Sequence, residues 1–168
     1  MSAERHDPGD AECLVFTFKE GLLSKVAHDL KLRVGRFSIE RDGAKLTARF
    51  DLTSLTAVCA VRDGHDDLHA LSRSDLAKID DNTRSEVLHS GRFPEAVFEG
   101  ELDGDAVRGR LTLHGVTRSV ATTLRSEGGR RVAEVTLHQP DYGVTPYTAM
   151  MGTLRVKADV RVRVSVPG

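Results

Sequence analysis

VRGRLTLHGVTRSVATTL, residues Val107–Leu124, is two alternating runs about a turn. Val107, Gly109, Leu111 and Leu113 share one face of the first run, with Arg108, Arg110 and Thr112 opposite. After His114-Gly115-Val116-Thr117 the alternation resumes, Val120, Thr122 and Leu124 against Ser119, Thr123 and Arg125. A period of two means strands with one buried and one solvated face. A short connection containing glycine makes them an antiparallel hairpin.

Outward from this hairpin the same design repeats. On the N-terminal side, Leu14, Phe16 and Phe18 share a face. Gly21–Ala27 reads as a short helical turn. A long run follows in which His28, Leu30, Leu32 and Val34 share a face, opposed by Asp29, Lys31 and Arg33. At Gly35-Arg36 the parity flips to Phe37 and Ile39, which predicts a β-bulge. Leu46, Ala48, Phe50 and Leu52 form the next inward face, and Ser54–Arg62 is a further candidate strand.

From Asp63 the period changes. Ser72-x-x-Asp75 fits a capping box, and Leu76, Ile79, Thr83 and Val87 follow at helical steps, predicting a helix over Asp75–Leu88. Gly91 and Pro94 stop it. Strands resume at Ala96, Phe98, Gly100 and Leu102, continue past the hairpin at Ala133–Leu137, and end with the clean alternation of Thr153–Val166. The pattern predicts an all-β, antiparallel β-barrel of about eight strands with one packed α-helix.

Composition bounds what such a barrel does. A chain of 168 residues makes one domain with a core that needs no staples. A net charge of −1 gives no excess of cations for nucleic acid. Trp is absent and aromatics are 5%, too few for base-stacking platforms. No run approaches the length of a membrane span, so stable membrane insertion is not expected. Residues 1–11 are polar, with Pro and Gly, and read as a disordered tail before a domain at 12–168. They lack the apolar segment of a secretory signal, which points to the cytoplasm. Cys13 and Cys59 make no disulfide framework and read as buried free thiols.

The expected inner face is apolar and carries many small residues: Ala48, Ala96, Gly100, Gly109, Thr122, Ala133 and Ala158. Small inward side chains leave room in an eight-stranded barrel for one apolar guest. Large partners such as Phe16, Phe18, Phe50 and Phe98 offer the opposing solution, a filled barrel whose work is done on its surface.

GRLTLHGVTRSV, residues Gly109–Val120, resembles the Gly-x-Leu-Thr-x-x-Gly-Val-Thr segment of the YceI-like family. Leu52-Thr53-Ser54-Leu55, Arg92-Phe93-Pro94-x-x-x-Phe98 and Asp141-Tyr142-Gly143 resemble further family segments in the same order. The resemblance spans about residues 12–166. It implies a lipocalin-like barrel that holds an isoprenoid or other lipid chain. Two departures are present: many family members carry a signal for the periplasm, and the segments Ala27–Leu30 and Pro146–Gly152 resemble a cytoplasmic subgroup.

The candidate ligand-binding set is His28, Leu30, Leu32, Phe50, Phe98, Gly100, Leu111, Tyr142, Tyr147 and Ala158. His28 is a polar anchor near one end of the cavity, since its neighbour Asp29 points to the other face and cannot complete a dyad. Tyr142 and Tyr147 flank a loop suited to a cavity entrance. Arg62 and Arg92 are candidates for an anionic head group. The alternative is an enzyme acting on a lipid or small apolar substrate with His28 as general base. His65 and His69 have the i, i+4 spacing of a zinc pair but lack a third ligand, and no cofactor or metal is expected. His114 sits in the hairpin turn and reads as a turn residue. A hydrophobic small molecule or lipid is the expected partner, and the sequence leaves a homodimer open.

Overall fold

The computed structural model describes residues 3–20, 28–152 and 154–168. The expected turn at Gly21–Ala27 lies outside them. In chain order the strands are β1 (Ala3–His6), β2 (Glu12–Thr17), β3 (Lys19–Glu20), β4 (Asp29–Val34), β5 (Phe37–Asp42), β6 (Lys45–Asp51), β7 (Leu55–Arg62) and β8 (His65–Asp67). Helix α1 (Arg73–Asn82) interrupts them. Then come β9 (Glu95–Asp103), β10 (Ala106–Leu113), β11 (Val116–Thr123), β12 (Arg125–Glu127), β13 (Arg130–His138), β14 (Thr148–Ala149), β15 (Leu154–Val156) and β16 (Asp159–Pro167).

The hairpin is β10 and β11, in register from Ala106↔Thr123 to Leu113↔Val116. Its two turn residues, His114 and Gly115, have φ of 53° and 75°. Two left-handed residues match the twist of the strands they join.

The ladders form two main sheets rather than one cylinder. One runs β1-β5-β6-β9-β10-β11 and the other β12-β13-β16-β2-β4-β7-β8. Long strands bend from one sheet into the other: β4 into β5 at Gly35-Arg36, β6 into β7 through the turn Leu52–Ser54, and β11 into β12 at Leu124. With each bent strand counted once, eight strands circle the interior as an antiparallel lipocalin-like barrel. A short third sheet, β14-β15-β3, edges one end.

Two expectations are corrected here. The parity flip at Gly35-Arg36 is a corner, not a bulge. The Gly35 N–H donates to the Ser54 carbonyl at 3.1 Å and the Arg36 N–H to Ser54 Oγ at 2.8 Å. The register irregularity lies instead in β7, where Lys31 faces Cys59 and Leu32 faces Ala57, leaving Val58 as the extra residue. Within the expected tail, residues 3–6 pair with β5 as β1, from Ala3↔Asp42 to His6↔Ile39. The exposed edge of β5 templates this short polar strand despite its weak propensity.

A third correction concerns β2. Cys13, Val15 and Thr17 line the interior, whereas Leu14, Phe16 and Phe18 lie on the outer face. The Arg161 guanidinium covers the Phe16 and Phe18 rings at 5.3 and 5.5 Å. Both faces of this strand are apolar, and arginine stems do the outer covering.

Helix α1 has the expected start. Ser72 Oγ accepts from the Asp75 N–H at 3.1 Å, and Asp75 Oδ2 accepts from the Ser72 N–H at 3.0 Å. Regular α-helix ends at Asn82, short of the expected Leu88, and continues as a wider π-turn over Thr83–Val87. Asp80 fastens the helix to the barrel by accepting from the Ala57 N–H at 2.7 Å. Both cysteines are buried and free, and burial pushes the Cys13 thiol up to about 12.

Candidate functional site: a cavity with two unlike ends

The barrel encloses a cavity of about 730 Å³, within the range of small-molecule sites. Its middle is built by inward residues of facing strands: Leu32, Ala48, Phe98, Leu111, Ala133 and Val162 among them. Many of these wall residues are only half-buried, because their side chains face space rather than one another. Ala48, Ala96, Thr122 and Ala133, expected as small wall positions, all line it.

Leu30, Leu32, Phe50, Phe98 and Leu111 face the cavity, as do His28 and Tyr147 toward one end. Gly100, Tyr142 and Ala158 do not line it. Gly100 and its cross-strand partner Gly109 hold the inward parity, but the Phe98 ring lies across both. A Cβ on Gly100 would sit 2.8 Å from Phe98 Cζ, and one on Gly109 2.6 Å from the same atom. These glycines make a seat for an aromatic ring and not open wall. Tyr142 is buried with Leu137 and Val144, and burial pushes its hydroxyl pKa up. Ala158 sits at the bend between β15 and β16, where the Lys157 N–H donates to the Phe18 carbonyl and the Gln139 N–H to the Ala158 carbonyl, each at 2.8 Å. That bend interrupts the alternation.

The two ends of the cavity differ in chemistry. At the helical end the lining includes Lys19 of β3, His28, Asp75 and Lys78 of α1, Tyr147 and Arg155 of β15. His28, Lys19, Asp75, Lys78 and Arg155 are all exposed, so the cavity meets solvent there. Asn82 Nδ2 donates to Tyr147 Oη at 3.0 Å, and the Val156 N–H to the Tyr147 carbonyl at 3.0 Å, which joins helix, loop and β15 into one rim. Asp75 is held ionised below the usual carboxylate range, first by the Ser72 backbone N–H.

At the far end the lining includes Glu4 and His6 of β1, Arg41 of β5 and Arg131 of β13. Their charges are matched. Arg41 lies 4.0 Å from Glu4, Arg131 2.9 Å from Asp105, and His6 2.8 Å from Asp10. Sequence reasoning named His28 and Tyr147 but missed Lys19, Asp75, Lys78 and Arg155 and the whole far-end set, because each set is assembled from residues far apart in the chain.

The remaining candidates fall away from the cavity. Arg62 and Arg92 do not line it. His65 belongs to a strand, not a helix, so it does not stack on His69. No cluster of three His, Cys, Asp or Glu side chains suited to a metal occurs among the described residues. His114 occupies the hairpin turn, its ring 4.4 Å from the Phe93 ring. No helix among the described residues is long and apolar enough to cross a membrane.

An eight-stranded antiparallel barrel around an apolar cavity, with one helix at its end, is the architecture of a hydrophobic-ligand barrel. The chain belongs to the YceI-like family: the model of the YceI-like domain matches residues 7–167. Two solved structures are similar in fold. One is BcnA of Burkholderia cenocepacia, at 15% identity and a TM-score of 0.60, with 96% of this chain and 98% of that one covered. The other is a polyisoprenoid-binding domain from Saccharophagus degradans implicated in plant cell wall breakdown, at 13% identity and a TM-score of 0.63, with 100% and 99% covered. No curated protein sequence matches the chain.

Proposed function

We propose that the protein binds and carries a hydrophobic small molecule, an isoprenoid or other lipid chain, inside the barrel. The observation that carries this reading is the apolar cavity of about 730 Å³. Burying an alkyl or prenyl chain there gains roughly 25 cal/mol for each Å² of apolar surface removed from water. A relative in fold described as polyisoprenoid-binding supports the same reading. Leu30, Leu32, Phe50, Phe98 and Leu111 form the wall that contacts the chain, and His28 and Tyr147 stand where its polar end emerges.

The test is solvent extraction of the purified protein followed by mass spectrometry, with uptake of a fluorescent fatty acid as a second readout. A carrier yields a lipid near one equivalent, or takes up one equivalent of probe. An empty extract together with no uptake leaves a barrel whose role lies on its surface.

A further inference from the structure

We propose that the barrel selects its ligand by chain length, and that the Phe98 ring, seated on Gly100 and Gly109, decides how far along the barrel a chain reaches. This rests on the carrier reading and deepens it. Gly100 and Gly109 stand opposite each other in the β9–β10 ladder. A Cβ on either would meet the tip of the ring, Phe98 Cζ, at 2.8 and 2.6 Å respectively. The ring tip therefore occupies wall space that two side chains would otherwise take. Seated there, it leaves the lumen beside it open.

Beyond this level the cavity continues. Phe98, Gly100 and Leu102 alternate along β9 and share its inward face. Leu46 stands beside Gly100 on β6, and Val107 faces Leu102 across the β9–β10 ladder. With Leu124 they line a far section of the same cavity. That section ends at the pairs Arg41–Glu4 and Arg131–Asp105. A chain gains from each unit laid along Leu46, Leu102, Val107 and Leu124. It gains nothing by going farther, because it would strip water from charges that it cannot partner. A chain entering from the helical end must pass the Phe98 ring to reach this section. A β-carbon at Gly109 would lift the ring off its seat and into that passage.

The experiment compares farnesol with geranylgeraniol, one isoprene unit longer, by displacement of a bound fluorescent fatty acid. The extra unit meets apolar wall in the far section, so the wild type should favour geranylgeraniol about tenfold. Gly109→Ala should bring that ratio near one. Adding Phe98→Leu should restore it, which a merely weakened ladder would not do. Val107→Phe fills the far section directly, leaves the seat intact and should also bring the ratio near one. The Glu99 carbonyl also crowds a Cβ at Gly109. If Gly109→Ala does not fold, Phe98→Trp takes its place: the indole overfills the seat, and the ratio should again fall near one. A tenfold ratio kept by Phe98→Trp, or a ratio lost in Gly109→Ala and not restored by Phe98→Leu, overturns the role of the ring. Equal binding of the two prenols by the wild type overturns length selection and leaves the carrier standing. So does a tenfold ratio that survives Val107→Phe, or a bound fatty acid that neither prenol displaces. No uptake of the fatty acid and no lipid in the extract overturn the carrier reading, and this inference with it.

Discussion

The two ends of the barrel use similar side chains to opposite effect. At the far end His6, Arg41 and Arg131 each lie beside a carboxylate, and a strand built from residues 3–6 runs along the edge. At the helical end Lys19, Lys78 and Arg155 are exposed and make no such close ion pair among the described residues, although Asp29 Oδ1 accepts from the Lys19 N–H at 2.8 Å and Glu20 stands opposite Arg155 in the ladder. Charge type is therefore not the signal. Close contact is, because a cation touching an acid fixes that acid's element in place, whereas one that reaches into solvent does not. We call the far end, with its close ion pairs, the floor and the helical end, whose lining reaches solvent, the mouth.

The largest effect is expected where the two ends share one cavity. Ala133 lies on the wall contributed by β13, which runs from Arg131 at the far end to Leu137 near the helical end. Ala133→Phe should abolish uptake of an apolar probe while leaving the midpoint of thermal denaturation near the wild-type value, because the ring enters existing space. Destabilisation with undiminished uptake would mean that the ends are separate chambers. Next in size is Gly109→Val. Its Cβ would crowd the backbone of Glu99 and Gly100 across the ladder as well as Phe98 Cζ at 2.6 Å, so overpacking of about 1–3 kcal/mol or more is expected by chemical denaturation. Gly109→Ala combined with Phe98→Leu should cost less than the two changes summed, since the ring supplies part of the clash, the Glu99 carbonyl and Gly100 Cα supplying the rest. Additive costs would refute the seat described for Phe98.

The fold was legible in the sequence because a period of two survives in almost every strand. The Ser72–Asp75 box and the hairpin turn were legible because each is local chemistry. What stayed hidden was non-local. Alternation separates two faces of a strand without saying which is inside, and on β2 both faces are apolar, so Phe16 and Phe18 were assigned inward. A parity flip has the same appearance at a corner and at a bulge, and Gly35 is a corner. Residues 3–6 carry no strand signal, because their pairing is supplied by β5. In the site, the apolar wall followed from parity, but Gly100 and Gly109 did not, since the ring that covers them is contributed by Phe98 two residues before Gly100. The rim cations sit in β3, α1 and β15, and no spacing in the sequence joins them.

A smaller change at the helical end sharpens the contrast. Tyr147→Phe removes the acceptor of the Asn82 amide and loosens helix from loop. A single hydrogen bond of this kind contributes about 0.5–1.5 kcal/mol, so probe dissociation should quicken about threefold to tenfold in stopped flow. Dissociation that is unchanged would mean that ligand leaves by another route, and the far end would then be the exit to examine.

The smallest effect concerns the floor and is a matter of pH. The His6 ring N–H donates to Asp10 Oδ2 at 2.8 Å, and the Asp7 N–H donates to Asp10 Oδ1 at 3.1 Å. These hydrogen bonds, the one from His6 first, hold the Asp10 carboxyl below its ordinary value of 3.8. A carboxyl depressed in the folded state stabilises the fold above its unfolded value, and that contribution is lost as pH falls through the folded value. The β1 strand should therefore remain paired with β5 at neutral pH and loosen only as the solution is taken below the usual carboxylate range. His6→Ala removes the larger cause, so Asp10 should titrate closer to 3.8 and the β1 amides should begin to exchange at a higher pH than in the wild type. The measurement is the pH dependence of the β1 and β5 amide signals by NMR, run beside the cavity-facing amides of β13 as an internal standard. If β1 and β13 respond together in both proteins, the floor is not an independently latched element, and the difference between the two ends is one of charge pairing alone.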